Sequence, residues 1–172
     1  MRVVTILAIA LLAAAPAVGQ SVGQSAAPSP AAAFVARTLA ASIVRSRDSA
    51  RAEARPIPED IRAALSPYYR EETLDAVRFT IGDTDPAGLA GFAIRNGDAA
   101  AVTLIDTVVF SSEDYARNVA LWAHELHHVE QYGAWGVEEF ARRYVLSWDA
   151  VEAEARARAR DFVAWYRERH GL

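Results

Sequence analysis

The chain has 172 residues, a formal net charge of −4, no cysteine, and arginine as all 18 of its basic residues. Without cysteine there can be no disulfide, no thiolate nucleophile and no cysteine-based zinc site; without lysine, Schiff-base chemistry, Ser-Lys dyads and P-loops are excluded as well. The length suits one ordinary domain, and the excess of acid gives no electrostatic case for nucleic acid or an anionic membrane.

Residues 1 to 19 read as a secretory signal. Arg2 provides the positive start, Val3 to Ala15 an apolar run, and Ala17-Val18-Gly19 the small residues of a cleavage site. The run is too short for a membrane span and no later stretch is long enough, so the mature chain is expected to be exported, periplasmic or secreted, with no transmembrane segment. Gln20 to Pro30 is rich in Ser, Gly, Ala and Pro and reads as a flexible tether. The folded part is expected over 31–172 as a single domain, with an N-terminal amphipathic helix at 31–54 (Phe34, Leu39, Ile43, Val44) and a core at 56–170. Pro58-Glu59-Asp60 starts a second helix running through Ile61 and Leu65 toward Tyr69.

Between Ala76 and Phe110 the period changes. Val77, Phe79 and Ile81 alternate, Gly82 to Gly91 is rich in turn formers, Asn96-Gly97 is a hairpin signal, and Val102 to Ile105 and Val108 to Phe110 are strand-like. A small antiparallel or mixed sheet is expected there. Ser111-Ser112-Glu113-Asp114 then opens a helix from Tyr115 to Tyr132 with Gly133 as its stop. A shorter helix at Val137 to Leu146 and a long one at Trp148 to Arg169 complete a mostly helical α+β chain.

Inside the Tyr115–Tyr132 helix lies His124-Glu125-Leu126-His127-His128, which holds three of the four histidines. Two histidines four apart lie about 40° apart in projection and one turn apart along the axis, so both can grip one ion. Neutral imidazoles suit zinc, and Glu125 falls beside the ion, where a carboxylate can take a proton from attacking water and pass it to a leaving amine. A catalytic zinc needs a third protein ligand. Gln131 and Ala134 stand where a metzincin would need Gly and His, so the ligand must come from farther on. Glu152, 24 residues after His128, is the first candidate and Glu154 the reserve, ahead of Glu138, Glu139 and Asp161. Glu152, three residues after Asp149, can also be read as the acid of a capping box begun by Asp149.

Other residues near the motif carry weaker signals. Gln131 returns to the metal-facing side of the helix and can orient a ligand or a substrate carbonyl, or stand in solvent. His127 reads as a supporting or surface group. Tyr132, Tyr144, Arg142 and Arg143 are candidate oxyanion stabilisers, while Trp122, Trp135, Phe140, Trp148, Phe162 and Trp165 read as packing between helices.

The run Val102-Thr103-Leu104, Val108-Val109-Phe110, then Trp122 to Tyr132 with its HExxHxxQ motif, followed by Gly136-Val137 and Phe140-Ala141-Arg142-Arg143-Tyr144, resembles the zinc-metallopeptidase-like core domain of extracellular contractile injection systems. The likeness covers roughly residues 56 to 160. It implies a compact gluzincin-like α+β fold and a peptidase role, carried onto His124, Glu125 and His128, with Glu152 in the place of the downstream ligand. The chain departs from larger gluzincins at Arg156, where many carry an aspartate. The expected function is a hydrolase with one Zn2+ acting on a peptide or protein substrate. A cell-wall amidase is compatible with the same chemistry, and the alternative from another class is a non-catalytic exported binding or scaffold module with a structural metal or none.

Overall fold

The computed structural model describes residues 28–82, 88–97 and 99–171. The expected leader, and the tether up to residue 27, lie outside the described residues. The elements are α1 (Pro30–Arg51), β1 (Arg55–Pro56), α2 (Glu59–Leu65), α3 (Glu71–Ala76), β2 (Arg78–Ile81), α4 (Leu89–Gly97), β3 (Ala101–Leu104), β4 (Thr107–Phe110), α5 (Glu113–Ala116) and α6 (Val119–His170). The expected α+β class holds: helices dominate around one four-stranded mixed sheet of order β1-β2-β4-β3. β2 runs parallel to β4, whereas β1 with β2 and β3 with β4 are antiparallel.

Strand alternation divides the apolar residues between two faces. Phe79, Val108, Phe110 and Ala101 join Trp122, Leu126, Leu65 and Phe162 in one buried cluster. The Trp122 ring lies 4.7 Å from Phe110 and 5.4 Å from Phe79, and its indole N–H donates to the Ala116 carbonyl at 2.7 Å. Val109 and Leu104 join a second cluster with Leu39, Ala40 and Ile43 of α1 and Tyr132, Phe140, Tyr144 and Val151 of α6. β3 pairs with β4 on one side and has no strand on its other side among the described residues.

α1 is bolted to the β3–β4 hairpin as well as packed on it. Arg47 donates to both carboxylate oxygens of Asp106, at 2.8 and 2.7 Å, and Arg51 lies 3.2 Å from the same carboxylate. Ser46, buried on α1, accepts the Leu89 backbone N–H at 2.9 Å and so fixes the start of α4. The hairpin turns through Ile105 and Asp106, with Ile105 at φ 60°. That conformation is costly for a β-branched residue, and the arginine clamp on Asp106 holds the turn in place.

Several boundaries differ from the sequence expectation. Asn96-Gly97 closes α4 rather than a hairpin, because the spacing of buried Ala90 and Ala93 lets Leu89–Gly97 pack as a helix against β3 and α1, and Asn and Gly also end helices. α2 stops at Leu65, and a further short helix, α3, precedes β2. The helix expected from Tyr115 is two: Ser112 caps the four-residue α5, and Asn118 caps a fresh start at Val119. Gly133 does not stop α6. The break falls at Gly136, with φ 77° and ψ 163°, a region open essentially to glycine, and a second break at Ser147 begins the last segment.

Candidate metal centre

The break at Gly136 returns the chain so that three stretches of α6 face one another. The first, at 119–135, carries His124, Glu125 and His128; the second, at 137–146, carries Phe140 and Tyr144; the third, at 148–170, carries Glu152. His124, Glu125, His128 and Glu152 are all buried, between 3 and 6 % exposed. His124 Nε2 lies 3.3 Å from His128 Nε2 and 3.4 Å from Glu152 Oε2, and His128 Nε2 lies 3.5 Å from Glu152 Oε1.

These lengths are long for hydrogen bonds, but they fit the edges of a coordination site. Bonds of about 2.0 to 2.1 Å at tetrahedral angles separate two donors by about 3.3 to 3.4 Å. His124, His128 and Glu152 thus form a buried group that can hold a metal ion. Charge points the same way. Two carboxylates, Glu125 and Glu152, are buried together beside two imidazoles, and Arg156 approaches Glu152 at 3.8 Å. A divalent cation would balance them.

Each of these side chains is held by a neighbour. Tyr144 donates its hydroxyl to Glu152 Oε1 at 3.2 Å. Thr103, on β3, donates to Glu125 Oε2 at 2.7 Å, which pins Glu125 against the sheet. His128 Nδ1 meets Gln131 Oε1 at 2.8 Å, while His124 Nδ1 is buried without a partner among the described residues. Burial opposes charge on both histidines but with different outcomes. The Glu152 carboxylate, with Glu125, holds the pKa of His124 above the ordinary range, whereas at His128 burial prevails and lowers it. Burial works against the Glu152 anion, yet the histidines and the Tyr144 hydroxyl bring its pKa below normal.

The donors open on a cleft beside the edge of β3 that carries no strand among the described residues. Its walls are apolar: Leu39 and Ile43 from α1, Leu89 from α4, Leu121 and Phe140 from α6. The sequence candidates separate clearly. Glu152 is in the donor triangle rather than capping its own helix. Glu154 is not; it accepts from Gln131 Nε2 at 2.9 Å and lies 3.9 Å from His127. Glu139 pairs with Arg142 and Arg143 at the surface, so none of the three reaches the donors. Tyr132 turns its hydroxyl to the Thr103 carbonyl at 3.5 Å, leaving Tyr144 as the candidate that touches the triangle. Thr103 was missed by sequence reasoning, although its place in a strand that pairs just ahead of the motif helix was the available signal.

No curated protein and no solved structure matches the chain. Residues 56–136 match the family model of the eCIS core domain, a stretch that takes in β2, β3, β4 and both histidines of the donor triangle and leaves out α1 and Glu152.

Proposed function

We propose that the protein is an exported, zinc-dependent hydrolase of gluzincin-like HExxH type, acting on peptide or protein substrates, with His124, His128 and Glu152 as ligands to one ion and Glu125 as general base. A zinc ion in the donor triangle would act as a Lewis acid toward a carbonyl and make water nucleophilic near neutral pH. Glu125 takes the proton of the attacking water and delivers it to the leaving amine. Thr103 holds that carboxylate in place through Oε2, which leaves Oε1 for the transfer. Tyr144 gives its one hydroxyl hydrogen to Glu152 Oε1, so its role in this reading is to hold that ligand in place. The apolar cleft walls favour a substrate that presents an apolar side chain next to the bond cut.

One observation carries the reading: Glu125 is 3 % exposed, lines the cleft, stands outside the ligand triangle and pairs with no arginine among the described residues. A purely structural metal site has no need of a second buried carboxylate beside its three ligands, and such a group costs several kcal/mol to desolvate. The depth of the donors favours a second reading, a closed structural site in a binding module. Glu125→Gln separates the two. Hydrolysis of a peptide substrate should fall by about 10²- to 10⁴-fold while zinc content stays at the wild-type level. Cleavage by that variant at the wild-type rate would refute the role of Glu125.

A further inference from the structure

Gln131 lies three residues beyond His128, is 3 % exposed, and makes three hydrogen bonds whose directions depend on one another. Its Nε2 donates to Glu154 Oε2 at 2.9 Å and to the Val151 carbonyl at 3.3 Å. A carboxylate and a carbonyl only accept, so the amide nitrogen must face them. The carbonyl oxygen is then left toward His128 Nδ1 at 2.8 Å. An acceptor there demands that His128 carry its ring hydrogen on Nδ1, which leaves the lone pair of Nε2 inside the donor triangle. The opposite tautomer would set Oε1 against a bare nitrogen and turn an N–H toward His124 Nε2, 3.3 Å away.

We infer that Gln131 is the positioning residue that presents His128 as a ligand before an ion arrives, and that Glu154, on the last segment of α6, orients Gln131 in turn. The inference rests on the reading of His124, His128 and Glu152 as metal ligands. The same amide ties the two parts of the site together, since Val151 precedes Glu152 on the segment that Gln131 grips. His124 has no such partner at Nδ1 among the described residues, so the device belongs to His128 alone. Glu154 therefore acts on the metal through two intervening side chains, His128 and Gln131, without touching it.

The test compares wild type with Gln131→Met, which keeps the side-chain length and removes every hydrogen bond, and with Glu154→Gln, which lets the amide turn over. The Glu154 side chain is 55 % exposed, so this second variant leaves the core untouched even where Gln131→Met fails to fold. Two quantities are read: zinc affinity by competition with a chromophoric chelator, and the ring 15N shifts of His128 in the chelator-treated protein. Wild type should show the hydrogen on Nδ1. Gln131→Met should lose that preference and bind zinc about 10- to 100-fold more weakly, with a smaller loss in the same direction for Glu154→Gln. Affinity within about two-fold of wild type in the folded variants would overturn the inference. A weaker affinity with an unchanged His128 ring pattern would also overturn it, since that marks a structural role only. Wild type that takes up no zinc would remove the metal reading, and the inference with it.

Discussion

Glu152 and Glu154 stand two residues apart on the same segment with the same chemistry, yet one completes the donor triangle and the other supports it from outside. Helical geometry explains the difference: residues two apart face about 160° away from one another, so only one can reach His124 and His128. The spacing that made His124 and His128 legible, four residues on one helix, is local. The choice of the third donor is not local, because it depends on where Gly136 and Ser147 bend the chain. Gly136 is the residue whose loss should show this most plainly. A Cβ there would meet nothing within 4 Å, so the cost of Gly136→Ala is backbone strain at φ 77°, about 1 to 3 kcal/mol. Gly133 has equally open space but helical backbone, and Gly133→Ala should stabilise by about 0.5 to 1 kcal/mol. Urea unfolding of the two variants should therefore move in opposite directions; equal shifts would contradict the assignment of the break.

At the scale of elements, α1 is joined to the sheet by Asp106, and that junction makes a pH-dependent prediction. Burial works against the Asp106 anion, but the Arg47 hydrogen bonds and the Arg51 charge outweigh it and leave its pKa below the ordinary value. A carboxyl group with a depressed folded pKa contributes stability above its unfolded value, about 3.9, and loses it as pH falls through the folded value. Asp106→Asn should lower stability by about 1 to 3 kcal/mol at pH 6, and the difference from wild type should shrink below about pH 4. Urea midpoints at pH 6 and pH 3 check this; a difference that is the same at both would count against the clamp. The hairpin whose turn contains Asp106 was only half legible. Its strands follow from Val102 to Leu104 and Val108 to Phe110, but Ile105-Asp106 carries no turn signal, because tertiary arginine contacts rather than local preference stabilise it. Asn96-Gly97 misled for the converse reason: a strong local turn signal also serves as a helix end, and packing of Ala90 and Ala93 decided between them.

Taken whole, the molecule places its polar site between two apolar clusters, one around Trp122 and Phe110 and one around Leu39, Val109 and Phe140. The mixed α+β class and the motif helix were readable from periodicity, since both arise from short-range patterns. The wrapping of α1 over the second cluster was not, because nothing in an amphipathic helix states which face of a sheet it will cover. α1 lies outside the stretch matched to the eCIS core domain, yet Leu39 and Ile43 line the cleft, so this part of the chain shapes what reaches the donors. The proposed function requires that His124, His128 and Glu152 hold one ion. Its most direct test is elemental analysis of the purified protein after equilibration with zinc and removal of the excess, for wild type beside Glu152→Ala and Glu125→Gln. About one zinc per chain is expected in wild type and in Glu125→Gln, with most of it lost in Glu152→Ala. No zinc in wild type, or full retention in Glu152→Ala, would contradict it.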